Sequence, residues 1–219
     1  MFHILPKTTL DLPESLPVFP LTGALILPKC KLPLNIFEPR YLAMVDAALR
    51  SARLIGMIQP QPGGPADGTG PLYGTGCAGR ITGFQETDDG RYLINMTGVC
   101  RFNVVQELEP VSGYRIVQPD WLPFATDLIT LSDKAVSGGD IVDVLQPFLE
   151  AHGIHYDWPA LKSLPGPELL DVLTVNLPFA PEDKQALLEA HDHPARLEVM
   201  RKIAAIYAAG RVHGSETKH

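Results

Sequence analysis

The chain has 219 residues, 45% hydrophobic and 20% charged, with a formal net charge of −7. So apolar a composition with so small a charge excludes a disordered chain, and no run of about 18 apolar residues exists to span a membrane. The acidic balance argues against a nucleic-acid binder, which needs a surplus of Lys and Arg on one face. A chain this long forms one large domain or two small ones. It buries roughly 70% of its unfolded surface, so no disulfide or metal staple is required. The 21 Pro and 19 Gly interrupt this core-like hydrophobicity. They predict short strands, tight turns and short helices.

Residues up to 122 have a strand-like pattern, and those from 132 a helix-like one. Short apolar runs at 16–19 and 24–27 are closed by Pro20 and Pro28. A third strand, 31–37, contains Pro33, which suits an edge or bent strand. Pro39 opens a helix, where a missing N–H costs nothing and Glu38 meets the positive end of the dipole. Tyr41, Leu42, Val45, Ala48 and Leu49 give that helix one apolar face to cover the sheet. A strand at 54–58 follows. The Pro- and Gly-rich stretch 59–76 predicts a long loop with no packed element.

The clearest β signal comes next. Strands at 80–85 and 91–98 flank Asp88-Asp89-Gly90, a tight hairpin turn. At 100–105 the alternation predicts Cys100, Phe102 and Val104 inward, with Arg101, Asn103 and Val105 on the wetter face. A turn at 109–113 leads to a strand at 114–117. Strands so spaced suit an antiparallel barrel or half-barrel. Helices follow. The first carries the stripe Ile141, Leu145, Phe148 and Leu149, with Asp140 as its cap and Gly153 as its stop. Pro167 and Pro181 open two more. The last begins at Asp192-His193-Pro194 and buries Leu197, Met200, Ile203, Ala204 and Tyr207.

The residues that suggest chemistry all have structural readings. Gly74-Thr75-Gly76-Cys77-Ala78-Gly79 matches G-x-G-x-x-G, but a strand follows it where a dinucleotide site needs a helix. The glycines at 63–70 are followed by no Lys-Ser or Lys-Thr, which excludes a P-loop. His152 and His155 with Asp157 are metal ligands in principle, but spacing past a helix end places no third ligand beside the two histidines, so no metal is expected. Ser137 with Lys134 reads as a helix start, because Lys134 lies in a polar stretch and stays protonated. Cys77 has no His or Asn beside it. His191 and His193 flank a capping Asp192. Cys30, Cys77 and Cys100 form no disulfide framework and no C-x-x-C, and no signal peptide is evident at the start. The expectation is a cytoplasmic protein with reduced, buried thiols and no cofactor. Glu38 and Arg40 flank Pro39 and read as a charge pair or as the polar rim of a ligand groove. Phe37 and Tyr41 read as core before binding platform.

One stretch carries a family signature. Leu16-Pro17-Val18-Phe19-Pro20-Leu21, then Pro28, then Leu32-Pro33-Leu34-Asn35-Ile36-Phe37-Glu38-Pro39-Arg40-Tyr41 resemble the N-terminal domain of the ATP-dependent Lon protease. That domain also occurs in free-standing Lon-like proteins and in cereblon. Tyr73-Gly74-Thr75-Gly76, Arg80-Ile81, Asp89-Gly90-Arg91, Gly98-Val99-Cys100-Arg101-Phe102 and the helix from Pro181 to Glu189 follow the family's order. The resemblance spans residues 16–207 and is most specific at 36–41.

The resemblance implies an α+β fold: a mostly antiparallel PUA-like β pseudo-barrel with one covering helix, followed by a C-terminal helical bundle. The expected division is an N-terminal extension at 1–13, the barrel at 14–122, a helical subdomain at 123–213 and a disordered tail at 214–219. Pro20, Pro33, Glu38, Pro39, Tyr41, Gly98 and Phe102 are the motif positions expected to be structural. The implied function is recognition of unfolded or exposed apolar polypeptide, in a groove between barrel and helices. A protease or chaperone partner and an oligomeric state fit the same resemblance. Phe37 and Tyr73 are the expected apolar contacts, and Arg40 the partner for a carboxylate or carbonyl. These 219 residues carry no Walker motif and no proteolytic serine signature, so no catalysis is expected. Two rival readings are a small hydrolase with an unrecognised site and a PUA-like RNA-binding module. The acidic charge disfavours the second.

Overall fold

A computed structural model describes residues 6–65, 69–129, 136–154 and 164–214. The chain forms two compact units, Met1–Leu131 and Ser132–His219. The architecture is mixed α+β, and among the described residues all the sheet lies in the first unit.

Six strands build that sheet: β1 (Leu16–Pro20), β2 (Lys31–Ile36), β3 (Leu54–Ile58), β4 (Thr75–Glu86), β5 (Tyr92–Val111) and β6 (Tyr114–Asp120). Their order is β2-β5-β4-β3-β1-β6, and β6 also pairs with β5, which closes a barrel. All neighbours are antiparallel except β1 and β3. β5 runs as one strand of 20 residues where the sequence reads two. Its first half pairs with β2 and its second half with β6. Among the described residues β2 pairs on one side alone, and Pro33 sits there because a missing N–H breaks no ladder bond at an edge. Helix α1 (Pro39–Leu49) lays Tyr41, Met44, Val45 and Ala48 onto the barrel, and the Tyr41 ring lies 4.3 Å from that of Phe19.

Several local expectations are overturned. Residues 24–27 form no strand. Leu25, Ile26 and Leu27 are buried, yet only Pro28 bridges to β5, at Gly98. The segment presses directly on the sheet: a Cβ at Gly98 would lie 2.0 Å from the Leu27 carbonyl oxygen. The loop at 59–76 is zipped at its base, with Pro60 bridging Leu72 and the Tyr73 N–H donating to the Gln59 carbonyl at 2.9 Å. Local composition signals breaks, but it cannot show that β3 and β4 prolong their pairing into the loop. The hairpin after β5 turns on Ser112 and Gly113, both at positive φ, and not over a broad turn. Arg101 is 3% exposed. Both faces of β5 are covered there, so alternation does not apply.

Arg101 is held by Asp127 of a 3-10 segment, Leu122–Leu128. Its Nε and Nη2 donate to the two carboxylate oxygens at 2.9 and 2.8 Å, and its backbone N–H donates at 2.9 Å. The guanidinium also lies 4.5 Å from the centre of the Phe124 ring. Ahead of β1, Leu12 is buried, and the Trp121 indole N–H donates to the Pro13 carbonyl at 3.0 Å.

Among the described residues the second unit has four helices: α2 (Gly138–His152), α3 (Gly166–Asn176), α4 (Pro181–Glu189) and α5 (His193–Gly214). Ser137, not Asp140, is the cap of α2. Its hydroxyl accepts from the Asp140 N–H, and Asp140 answers as the acid of a capping box. Gly153 ends α2 at a positive φ. The core gathers Ile141, Leu145, Phe148, Leu169, Leu173, Leu187 and Met200. Phe148, Phe179 and Tyr207 form an aromatic triad, and the Tyr207 hydroxyl donates to Asp183 at 2.8 Å. Arg196, 2% exposed, binds Asp171 at 2.6 Å and the Leu187 carbonyl at 3.0 Å.

Two substitutions should separate buried from exposed pairs. Asp127→Ala leaves the Arg101 charge buried and should destabilise the first unit by about 3–5 kcal/mol, whereas Glu38→Ala should cost under about 1 kcal/mol. Urea unfolding of both variants checks this, and equal losses would refute it.

Candidate functional site

An open groove lies within the first unit, on the sheet formed by β2, β5 and β4. It has a volume of about 610 Å³ and is lined by Pro33, Leu34, Asn35, Gly83, Phe84, Gln85, Leu93, Ile94 and Asn95. None of these residues is ionisable. Strand registers place Asn35, Leu93 and Gln85 in one rung, and Pro33, Asn95 and Gly83 in the next on the same face. The intervening rung, Leu34–Ile94–Phe84, turns its side chains the other way. Ile94 is buried accordingly, and Phe84 packs edge-on against Tyr92, whose hydroxyl donates to Asp46 of α1. The face of the Asn35–Leu93–Gln85 rung therefore presents Leu93 (41% exposed) and Pro33 as its apolar surface, while Phe84, 45% exposed, belongs to the intervening rung. Thr82 and Thr97, whose hydroxyls lie 3.2 Å apart, extend the face along the sheet.

Phe37 follows β2 and is 62% exposed, so it is not a core residue. The Arg91 guanidinium stands 5.8 Å from the centre of its ring. Arg91 in turn pairs with Asp89 at 2.9 Å, which seats Phe37 at the end of the groove beside the β4–β5 turn. Arg40 is half-buried. It binds Glu38 at 2.8 Å and lies 4.6 Å over the Tyr41 ring. A Cβ added at Gly113 would meet the Cβ of Arg40 at 3.4 Å, so the tip of the β5–β6 hairpin sits against the start of α1. Tyr73 is half-buried on the zipped arm after Leu72. Arg115 ties that arm to the hairpin, with Nη1 donating to the Gly70 carbonyl at 2.6 Å and Nε to Glu107 at 2.9 Å. The contacts of Phe37, Arg40 and Tyr73 thus run to three different elements.

Other motif positions serve packing. Tyr41 and Phe102 are buried, and Pro39 occupies the first turn of α1. Gly76 and Gly79 lie inside β4, where a Cβ would come within 2.6 Å of Phe102 and of Met96 respectively. Close packing accounts for those two glycines, whereas a Cβ at Gly74 would meet nothing within 4 Å. Leu93, Asn35, Asn95 and Gln85 escaped the sequence reading. The alternation of Ile94 and Met96 with Asn95 and Thr97 carried the signal, but it does not say that Leu93 faces outward.

Nucleophiles are poorly placed. Burial pushes the Cys77 thiol well up and that of Cys100 to about 12, and the Asp127 carboxylate nearby adds to both. Such thiols stay protonated and inert. The Ser137 hydroxyl is engaged by Asp140 at 2.7 Å. Lys134, His155, Asp157 and the side chain of His152 lie outside the described residues. Among the described residues no group of His, Cys, Asp or Glu is placed to hold a metal.

This barrel-and-helix arrangement has known counterparts. The family described as the ATP-dependent protease La (LON) substrate-binding domain matches residues 15–205. The chain belongs to this family. It is 26% identical over 201 residues to Lon protease 2 of Myxococcus xanthus and 28% identical over 196 residues to the Lon protease of Syntrophus aciditrophicus. Those alignments cover 88% and 85% of this chain but 24% of each relative, so the chain spans about a quarter of their length. The crystal structure of a Lon N-terminal domain protein from Xanthomonas campestris superposes with a TM-score of 0.58 at 25% identity. It covers 84% of this chain and 95% of that one. The N-terminal domain of a Mycobacterium avium complex Lon protease shares the fold, with a TM-score of 0.65 at 16% identity over 87% of this chain and 98% of that one. No helix among the described residues is long and apolar enough to cross a membrane.

Ellman's reagent checks the sealed thiols. Native protein should release under about 0.1 equivalent of product within minutes, and unfolded protein the full complement. A fast native reaction at Cys77 or Cys100 would show that the core around Arg101 is open.

Proposed function

We propose that the chain is a substrate-recognition module that binds exposed apolar segments of unfolded polypeptide and has no peptidase activity of its own. The groove on β2, β5 and β4, with Phe37 exposed at its end, carries this reading. Membership of the Lon substrate-binding family supports it. A partly exposed Leu93 and a largely exposed Phe37 have apolar area left to bury, and each buried Å² contributes about 25 cal/mol. Phe37 is the apolar contact at the groove's end, and Tyr73 a second apolar contact on the zipped arm. Arg40 is the partner for a backbone carbonyl or carboxylate of the segment. Inert thiols and a capped Ser137 fit a module that binds without reacting. The reading extends to a cytoplasmic location, to a role as adaptor or regulator in protein quality control, and to a protease or chaperone that receives the bound chain.

Titration with reduced, carboxamidomethylated α-lactalbumin tests it. Binding is expected at tens of micromolar, weakened about tenfold in Phe37→Ser and measurably in Tyr73→Ala. No binding, or unchanged binding in both variants, would refute the assignment. Turnover of casein by the purified chain without an ATPase would refute its non-catalytic part.

A further inference from the structure

The groove's face holds more polar capacity than a purely apolar grip would use. Asn35, Asn95 and Gln85 are exposed, and among the described residues their carboxamides have no hydrogen-bond partner. They surround Leu93. Asn35 and Gln85 flank it across the rung, and Asn95 stands two residues along the same strand. Neighbouring strands lie about 4.8 Å apart and same-face residues about 7 Å apart, so all three amides fall within reach of one short extended segment. Gly83 keeps the floor between them low. A Cβ there would meet the Asn95 amide nitrogen at 3.0 Å.

A carboxamide both donates and accepts, which matches a peptide group and discriminates poorly between side chains. With no ionisable residue in the lining, a charged side chain entering the groove would lose hydration and gain no counter-charge. Lys31 precedes the face in β2 and Arg91 closes it at the β4–β5 turn, so charge is confined to the two ends. Pro33 removes a donor from the free edge of β2, which weighs against an occupant that adds a strand there. That leaves the face itself as the place for an occupant.

Resting on the substrate-recognition reading above, we propose that this face selects uncharged, extended polypeptide segments. An apolar side chain of the segment rests on Leu93 and Pro33. The Asn35, Asn95 and Gln85 carboxamides hydrogen-bond the backbone N–H and C=O groups on either side of it. Recognition is then tolerant of sequence but intolerant of charge.

The experiment compares the wild-type 219-residue chain with Asn35→Ala/Asn95→Ala/Gln85→Ala, using carboxamidomethylated α-lactalbumin and a neutral apolar dodecapeptide as probes. The triple variant should bind both at least about tenfold more weakly with an unchanged unfolding midpoint. On wild type, backbone N-methylation of the peptide should weaken binding by a similar factor, a readout that does not depend on the variant folding. Two central Asp residues in the peptide should abolish binding. Raising salt from about 50 to about 500 mM should change affinity by less than about twofold. If the unfolded protein binds but neither the triple variant nor N-methylation matters, this inference fails and the broader reading stands. If the unfolded protein does not bind at all, both fail. A tenfold loss in high salt, or a preference for single-stranded RNA over the peptide, would overturn the uncharged-segment assignment.

Discussion

The Phe102 ring in the centre of the barrel sets the terms for the strands around it. It is fully buried, and β3 and β4 can approach it only because they present glycine. A Cβ at Gly56 would come within 2.9 Å of the ring, and one at Gly76 within 2.6 Å. Trp121 meets the same ring edge-on at 5.6 Å. Protein interiors pack at crystal density, so a large ring held against bare backbone on two strands leaves little room for alternative registers. The register of β4 against β5 follows, and β2 is aligned on β5 in turn.

One residue earlier, Arg101 fastens the other face of β5 to the 3-10 segment through Asp127. An unpaired charge at that depth would be costly, and the bidentate geometry with a third bond from the backbone removes the cost. The pair and the ring together cover the middle of β5 on both sides. The two ends of this long strand are then left for other uses: its first half for the open face, its second half for the hairpin that leans on α1. Rigid support under an exposed groove is what a binding surface needs if it is to lose little entropy on engagement.

The open face differs from an ordinary solvated sheet in carrying amides and aliphatic groups without charge at its centre. The molecule as a whole has 43 charged side chains, 18 basic and 25 acidic. On the turn that flanks the face, Arg91 pairs with Asp89. Phe37 stands exposed between β2 and α1, two residues before Pro39 starts the helix.

Much of this was legible from the residues. Prolines at the starts of α1, α3 and α4, the Asp-Gly turn before β5, the apolar stripes of the helices and the family signature at residues 36–41 are local signals, and local dihedral preferences decide them. Long-range closure is not local. That Arg101 is buried, that residues 24–27 pack without pairing, that the arms of the 59–76 loop zip together, and that Leu93 faces solvent while Ile94 does not all depend on which strand lies opposite. Alternation names two faces of a strand but not which one is inward, and it fails where both are covered. The sequence by itself therefore determined most of the elements and the family. The tertiary structure alone decided the groove, because register and barrel closure bring Asn35, Leu93 and Gln85 into one rung from three separate strands.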